Sequence, residues 1–450
     1  MNKIIETRFS GCLDVNDIRT KVTVKPEPVS GLESLDIMLG AEVLSSTLKQ
    51  IFIPNEFSLA FIKLMVGKAS MHSQRLFASQ AIYSSNVFHP PEVEVSPICL
   101  TGLAGVGKSQ TLAALRKVLP PPMEFSCDLF DGSVTLTSDW YASARGKASG
   151  KALLEHFVFG DKKPAGKTTV AQLLRLARRS ANTQGVSLVV LDETQHFNTG
   201  LGTAKVTDVL LTVAAIGPPT AFLSNYSLVH KLMTRNSEDK QRLLANPVIM
   251  LPDAPDSADW HNYINECIRV SNGAIEADTR EMAAEIYRCT FGVKRLVVHI
   301  LTLAYVECRN AGRYSVNLSD IVSAYRSIAY TVSAKEVETL QFLALGGKPK
   351  KADLHLVCPF DLTDAMKSNV VKFTRDDRHE RVIAKVFDSA MTDTERAAMK
   401  HLDEHILDAP QTSKPHRRAP VVKLSADQQV IAFNTFVSTL ATSKPKKPKQ

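Results

Sequence analysis

The stretch that most constrains this chain is ICLTGLAGVGKSQTLAAL, residues 98–115. An apolar run enters a turn with glycines at 102, 105 and 107, then a lysine, a serine and a helical pattern follow. Gly102-x4-Gly107-Lys108-Ser109 is a complete phosphate-binding loop pattern, and its setting is the one the chemistry needs. A strand delivers the chain, glycines let backbone N–H groups wrap an oligophosphate, and a helix N-terminus adds favourable partial charge. Gly102, Leu103, Ala104, Gly105, Val106, Gly107, Lys108, Ser109 and Gln110 are therefore the expected nucleotide contacts. Lys108 is suited to reach the β- and γ-phosphates, and the Ser109 hydroxyl to ligate Mg²⁺.

A second pattern narrows the chemistry. VSLVVLDETQHF (186–197) reads as a buried strand ending in Asp192-Glu193. In parallel α/β sheets ligands gather at the carboxyl ends of strands, so this acid pair and the loop are expected at one edge. Asp192 would hold Mg²⁺ through its water shell, and Glu193 would polarise an attacking water, which makes ATP with Mg²⁺ the expected pairing. A nucleotide kinase needs no water-activating glutamate, and the chain has no Asn/Thr-Lys-x-Asp motif for reading guanine. The next apolar run, TAFLSN (220–225), ends in Asn225, suited to orient the water or the γ-phosphate. Arg242 precedes the run at 247–251, where ring-forming ATPases present an arginine finger to a neighbour; Arg235 is its rival. FGVKRLVVHIL (291–301) begins a helix with Gly292-x-x-Arg295, the pattern of a lid arginine.

The 450 residues suggest several domains, with 44% hydrophobic and 22% charged content ordinary for a globular chain. Most of the +8 charge is local. Residues 411–450 hold eight Lys and Arg against one acid, Asp427, so this tail alone carries +7. Seven scattered cysteines without a Cys-x-x-Cys pair argue for reduced thiols rather than a disulfide framework or a zinc site. No basic-then-apolar leader follows Met1 and no apolar stretch is long enough to span a bilayer, so a cytoplasmic location without membrane contact is expected. Short β-like runs at 98–101, 124–127, 186–191, 220–224 and 247–251 alternate with helical patterns at 109–118, 167–180 and 204–215. That alternation predicts a parallel sheet covered by helices. The expected organisation is an N-terminal arm and helical lead-in over 1–95, an α/β nucleotide-binding domain over 96–252, a helical lid over 253–332, and a C-terminal extension over 333–450. Within the extension, GGKPKKADLH reads as a linker, 392–408 as a charged helix and the end as a flexible basic tail.

Phosphate loop, Asp-Glu pair, strand-end Asn, pre-strand Arg and lid Gly-x-x-Arg come in the order of an AAA+ P-loop ATPase. Over about 46–332 the chain also resembles a narrower family, the TnsC regulators of DNA transposons and their relative TniB. The likeness is carried by IFIPNEF with its following helix, LTGLAGVGKSQTLAALRKVLP, VVLDETQHF and YSVNLSDIVSAYRSI. Two features depart from it. Ser224-Asn225 stands where these proteins usually have Gly-Thr, and KQRLLANP stands where they often carry paired arginines. The resemblance implies an ATP-dependent switch that oligomerises head-to-tail on double-stranded DNA and joins a target-selection protein of the TniQ or TnsD type to the transposase subunits TnsA and TnsB. Hydrolysis would then disassemble the oligomer. It also favours reading WYASARGKASGK (140–151) as a phosphate-backbone contact through Arg145, Lys147 and Lys151. The apolar run 430–440 with the tail behind it would serve the transposase. Two other readings stay open: a replication initiator or helicase loader, and a nucleotide-controlled signalling scaffold with no DNA role.

Overall fold

The structure, a computed structural model, describes Ile5 and residues 7–390 except 94, 129–131, 148, 161, 163–165, 199–201 and 277–278. The helix expected at 392–408 and the basic tail lie outside the described residues. The chain divides into two compact units, Met1–Arg381 and Val382–Gln450; of the second, only residues 382–390 are described, and they are helical.

The N-terminal part forms α1 (Val15–Val22), α2 (Ile37–Gln50), α3 (Glu56–Leu76) and α4 (Gln80–Phe88). The α/β region then runs β1 (Ile98–Gly102), α5 (Lys108–Val118), β2 (Met123–Phe125), β3 (Val134–Leu136), β4 (Asp139–Ser143), α6 (Gly150–Phe159), α7 (Val170–Thr183) and β5 (Leu188–Asp192). It closes with α8 (Gly202–Ala214), β6 (Thr220–Asn225), α9 (Tyr226–Met233), α10 (Ser237–Leu243) and β7 (Asn246–Met250). Helices follow: α11 (Ala258–Ser271), α12 (Thr279–Thr290), α13 (Lys294–Asn310), α14 (Leu318–Arg326), α15 (Thr331–Ala344) and α16 (Asp364–Ala390).

Five strands make one parallel sheet in the order β4-β5-β6-β1-β7. Every residue of β1 and β5 is buried, as strands covered on both faces must be, which is why they read as unbroken apolar runs. Pro247 sits in β7, an edge strand, where a missing N–H leaves no ladder bond unmade. One face of the sheet packs on α1, α3 and α5 through Ile18, Ile62, Met65 and Leu115; the other packs on α6 to α9 through Leu154, Ala177, Val209 and Val229. The expected parallel sheet with covering helices is the sheet that forms.

Two expectations change. The run at 124–127 gives only the short β2, which pairs antiparallel with β3 as a hairpin apart from the main sheet. The edge strand is instead β4, Asp139–Ser143, which contains the start of the stretch read as a basic loop. Its alternation is brief, with Trp140 and Ala142 buried between half-buried polar ends, so the pattern is hidden in five residues. The second change concerns GGKPKKADLH. Residues Lys351–Leu356 form a 3-10 turn, and Leu356, Cys358 and Phe360 pack on the two clusters that cover the sheet. His230 Nε2 lies 2.9 Å from the Val357 carbonyl, so this segment is a packed strap over α9 rather than a free linker.

A third core lies among α2 and α11 to α15. Leu44 and Leu48 of α2 join Trp260, Ile264, Val297, Leu301 and Tyr305, residues spaced by three or four along their helices. The lead-in therefore packs with the lid helices, and the Tyr305 hydroxyl donates to the Leu32 carbonyl at 3.1 Å. Among the described residues no single helix is long and apolar enough to cross a membrane.

Candidate nucleotide site

The register of the sheet brings the predicted residues to one edge. Gly102, the last residue of β1, pairs with Asn225 of β6 on one side and Met250 of β7 on the other. Ser143 of β4 pairs with Asp192, the last residue of β5. The loop from Gly102 to Gly107 rises from this edge, and Gly107 is the N-cap of α5. Gly102 is fixed by close approach: a Cβ there would stand 2.4 Å from the Met250 carbonyl oxygen. Gly105 takes φ +84°, a conformation other residues enter at a cost, and a Cβ on it would meet the Arg295 side chain at 2.7 Å.

Lys108 is buried, and its Nζ donates to the Gly102 and Leu103 carbonyls at 2.9 and 2.8 Å and to Asn225 Oδ1 at 2.9 Å. Burial pulls its pKa down to about 8, against the opposing pull of Asp192. A buried cation in a glycine-lined turn, hydrogen-bonded by neutral oxygens, is chemically suited to an anion, and a polyphosphate fits it. The Ser109 hydroxyl donates to Asp192 Oδ1 at 3.2 Å. Burial raises the Asp192 carboxyl above its usual range. This hydroxyl–carboxylate pair is a hard oxygen set of the kind Mg²⁺ uses, directly or through water.

Glu193 stands apart. Its backbone is left-handed, φ +52°, although it carries a side chain, and its N–H donates to Asp192 Oδ1 at 2.7 Å. The following 3-10 turn, Thr194–Asn198, is tied to β6 by the buried Thr194 hydroxyl, which donates to the Leu223 carbonyl at 2.7 Å. Together these hold the Glu193 carboxylate away from the strand axis, beside the loop, in a conformation costing about 1–2 kcal/mol. It is not free: Arg145 Nε lies 3.0 Å from Oε2 and Nη2 lies 3.4 Å from Oε1, with His196 at 3.8 Å. Arg145, read in the sequence as a phosphate-backbone contact, thus reaches the acid of the nucleotide site. Lys151 forms a 3.7 Å pair with Glu155 along α6, and Lys147 closes a turn by donating its N–H to the Ala144 carbonyl.

The lid arrives from α13. Phe291 and Gly292 both take positive φ, 53° and 71°, and turn the chain sharply between α12 and α13. The Arg295 N–H then donates to the Gly105 carbonyl at 3.1 Å, and the Arg295 side chain lies over the loop. Loop, Asp192, Glu193, Asn225 and Arg295 line one cavity of about 850 Å³. Its remaining wall was not legible as a site: Ser45, Leu48 and Lys49 come from α2, and Tyr263, His299 and Thr302 from the lid. Gln110 bridges the halves by donating to the Lys49 carbonyl at 3.1 Å. A signal for α2 existed in Asp36, which caps it, and in the spacing of Leu44 and Leu48. Nothing in 37–50 alone says that it faces a nucleotide.

Arg242 is outside this cavity. It pairs with Glu238 at 3.0 Å and lines a separate hollow of about 300 Å³ with Glu92, Val95 and Leu211. Arg235 is held by Asp239 at 2.8 Å.

Strand order, phosphate loop after β1, acid pair after β5 and a helical lid carrying an arginine onto the loop define the fold as that of an AAA+ P-loop NTPase. No protein-family model matches the chain, and no curated protein matches it. Among solved structures it is similar to the Aeropyrum pernix ORC1 protein in complex with DNA, at 15% identity and a TM-score of 0.36 over 68% of this chain and 81% of that one. It is also similar to Drosophila ORC bound to DNA, at 14% identity and 0.36 over 87% and 84%. A third is the Thermotoga maritima RuvB Holliday junction branch migration motor, at 11% identity and 0.31 over 68% and 85%. Likeness of this degree is low, and the fold assignment stands on the strand order, the loop and the lid.

Proposed function

We propose that the protein is an ATP-hydrolysing assembly switch that oligomerises on duplex DNA, in the manner of the TnsC and TniB regulators of transposition that its motifs resemble. One observation carries the ATPase reading: Lys108, the Ser109–Asp192 pair, Asn225 and Glu193 converge on one sheet edge beneath an arginine from the lid. ATP with Mg²⁺ supplies the phosphoanhydride and the charge that neutralises it. Loop N–H groups and Lys108 bind the phosphates, Ser109 and Asp192 hold the metal or its waters, and Glu193 polarises the attacking water. Asn225, already bonded to Lys108, orients the water or the γ-phosphate. Arg242, turned away from its own cavity, is the candidate to reach a neighbour's.

The DNA reading rests on the resemblance and on the cations after β4. Phosphate contact there would be largely independent of base sequence and sensitive to salt. Arg145 links the two readings, because one guanidinium cannot grip both Glu193 and a phosphate with the same N–H groups. The transposase and target-selection partners follow from the resemblance alone. The test is a gel shift with duplex DNA using Glu193→Gln. This variant keeps the metal site and loses water activation, so ATP should bind, hydrolysis should collapse and DNA-bound oligomers should outlast those of wild type. Duplex binding that ignores ATP, or no duplex binding at all, overturns the DNA-switch reading.

A further inference from the structure

On the lid, α12, α14 and α16 enclose a groove of about 540 Å³. Leu318, Val322 and Phe373 make its floor apolar, and Phe373 fixes α16 there, its ring meeting the Tyr287 ring edge-on at 5.1 Å. The rim is acidic, with no basic side chain among its described lining residues. Arg288 engages Glu285 and Arg381 lies 3.5 Å from Asp377, which leaves Glu281, Asp376 and Glu380 exposed and without an ion pair among the described residues. A metal ion does not suit the groove, since no group of acids among the described residues is close enough to hold one. A polyanion is repelled. What fits is a surface that sets cations around an apolar centre.

The same chain carries such a surface on α7 and α4. The α7 sequence, VAQLLRLARRSANT, holds three arginines and no acid. Arg175, Leu176 and Arg179 are spaced by three and four, so they share one side of the helix. Both arginines are exposed and without an ion pair among the described residues, and Leu176 is 39% exposed. The Arg179 guanidinium lies 5.7 Å over the ring of Phe88 on α4, itself 49% exposed. The two helices are tied by the Tyr83 hydroxyl, which donates to the Thr183 carbonyl at 2.9 Å, and by Asn182 Nδ2, which donates to the Asn86 carbonyl at 2.8 Å. Arg178 bonds to Glu92 at 2.9 Å, and Glu92 lines the hollow that holds Arg242, so this patch adjoins the surface proposed above to meet a neighbour. Exposed Leu176 and Phe88 beside the arginines suit a protein partner better than a phosphate backbone.

We infer that the lid groove of one copy takes the α4–α7 patch of a second copy, with Arg175 and Arg179 against its acidic rim and Leu176 and Phe88 on its apolar floor. Charge complementarity selects the pairing. Groove and patch share no residue, and both belong to the unit Met1–Arg381. Contact between two different surfaces, when repeated, builds rings or filaments. The inference deepens the assembly reading and rests on it only in requiring that copies of the chain meet.

The test uses the full chain in sedimentation velocity, with ATP and duplex DNA and again without them. Glu281→Lys, Asp376→Lys and Glu380→Lys together reverse the groove; Arg175→Glu and Arg179→Glu reverse the patch. All five side chains are exposed, so thermal melts should match wild type. Each reversed variant alone sets like charges together, and its self-association should weaken at least about tenfold. An equimolar mixture of the two should associate like wild type, because every groove then meets a patch of opposite charge on the other variant. A chain carrying all five substitutions should associate on its own. Wild-type assembly that neither reversal touches, or a loss that the mixture does not recover, overturns the contact and leaves the assembly reading standing. A wild-type chain that stays monomeric under every condition overturns both. Patch reversal that weakens duplex binding but not self-association assigns the patch to DNA phosphates and removes the contact. If the reversed groove fails to fold, Glu281→Gln, Asp376→Asn and Glu380→Gln must still weaken association; no effect there also overturns the contact.

Discussion

Lys108 sits where burial works against its charge, and that has a measurable consequence. Its pKa falls from 10.5 to about 8, so the neutral amine dominates above pH 8 in the free protein. A polyphosphate favours the ammonium and lifts the pKa back, so ATP binding takes up a proton between about pH 8 and 10.5 and weakens as pH rises through 8. Calorimetry at pH 8.5 in buffers of different ionisation enthalpy should reveal this uptake. A binding enthalpy indifferent to buffer would refute it. Lys108→Ala should lose both the uptake and nearly all ATP affinity, since the phosphates lose their main side-chain counter-charge. Arg145 invites the opposite experiment. Its two contacts hold Glu193 in an ion pair with partners 70% and 33% exposed, worth about 0.2–1 kcal/mol. Arg145→Ala should therefore raise DNA-free ATP turnover by about 1.4- to fivefold, and DNA should stimulate the variant less than wild type. Turnover that falls instead would mean Arg145 assists the chemistry rather than restraining the acid.

Among the elements, the turn between α12 and α13 decides whether the lid arginine reaches the loop. A Cβ on Gly292, at φ +71°, would meet the buried Tyr287 ring at 2.9 Å and the Asp253 carbonyl oxygen at 3.2 Å. Neither neighbour can yield without moving α12 or the approach to α11. Gly292→Ala should cost about 1–3 kcal/mol of stability and shift α13, loosening the bond from Arg295 to Gly105 and weakening ATP binding. Thermal melts with and without ATP separate the two effects; an unchanged ATP-induced shift in Tm would show that the turn does not govern the lid. Elements of this kind mark what the sequence discloses. The phosphate loop and Asp192-Glu193 were legible because each is a contiguous chemical requirement on a strand that must be buried on both faces. The Gly292-x-x-Arg295 turn was legible because a glycine just before a helix, with an arginine three residues on, is also contiguous in the sequence. β4 was not, because its partner β5 lies some fifty residues on and its alternation lasts only five residues. The pairing of Arg145 with Glu193 exists only once those strands lie in register, and α2 becomes a cavity wall only through packing on α13. The stretch that ends in the 351–360 strap reads as a linker because glycines and lysines crowd 346–351, while Leu356, Cys358 and Phe360 do the anchoring.

At the scale of the whole molecule, the proposed ATPase would complete its site with an arginine from a neighbouring copy. Its own arginine at the cavity is Arg295, while Arg242 lies at the far side of the β7 approach, paired with Glu238 on a surface that does not touch its own nucleotide cavity. A head-to-tail contact between copies would bring that surface to a neighbour's nucleotide, and such heterologous contacts generate rings or filaments. Mixing experiments can test this without knowing the oligomer number. Arg242→Ala should bind ATP normally and lose most turnover, because its sites are complete except for the neighbour's arginine. Glu193→Gln should also bind ATP and fail to turn over, for the different reason that its water is not activated. Each variant supplies what the other lacks. In an equimolar mixture assembled with ATP, an interface is productive only where an Arg242→Ala site meets a Glu193→Gln arginine. Random assembly makes that about one interface in four, so about a quarter of wild-type turnover should return. The activity should fall on dilution, as assembly does. A mixture as inactive as its components would remove Arg242 from the neighbour's site. Full activity in Arg242→Ala alone would remove it from the chemistry, and Arg235→Ala in the same mixing design would then test the other arginine before β7.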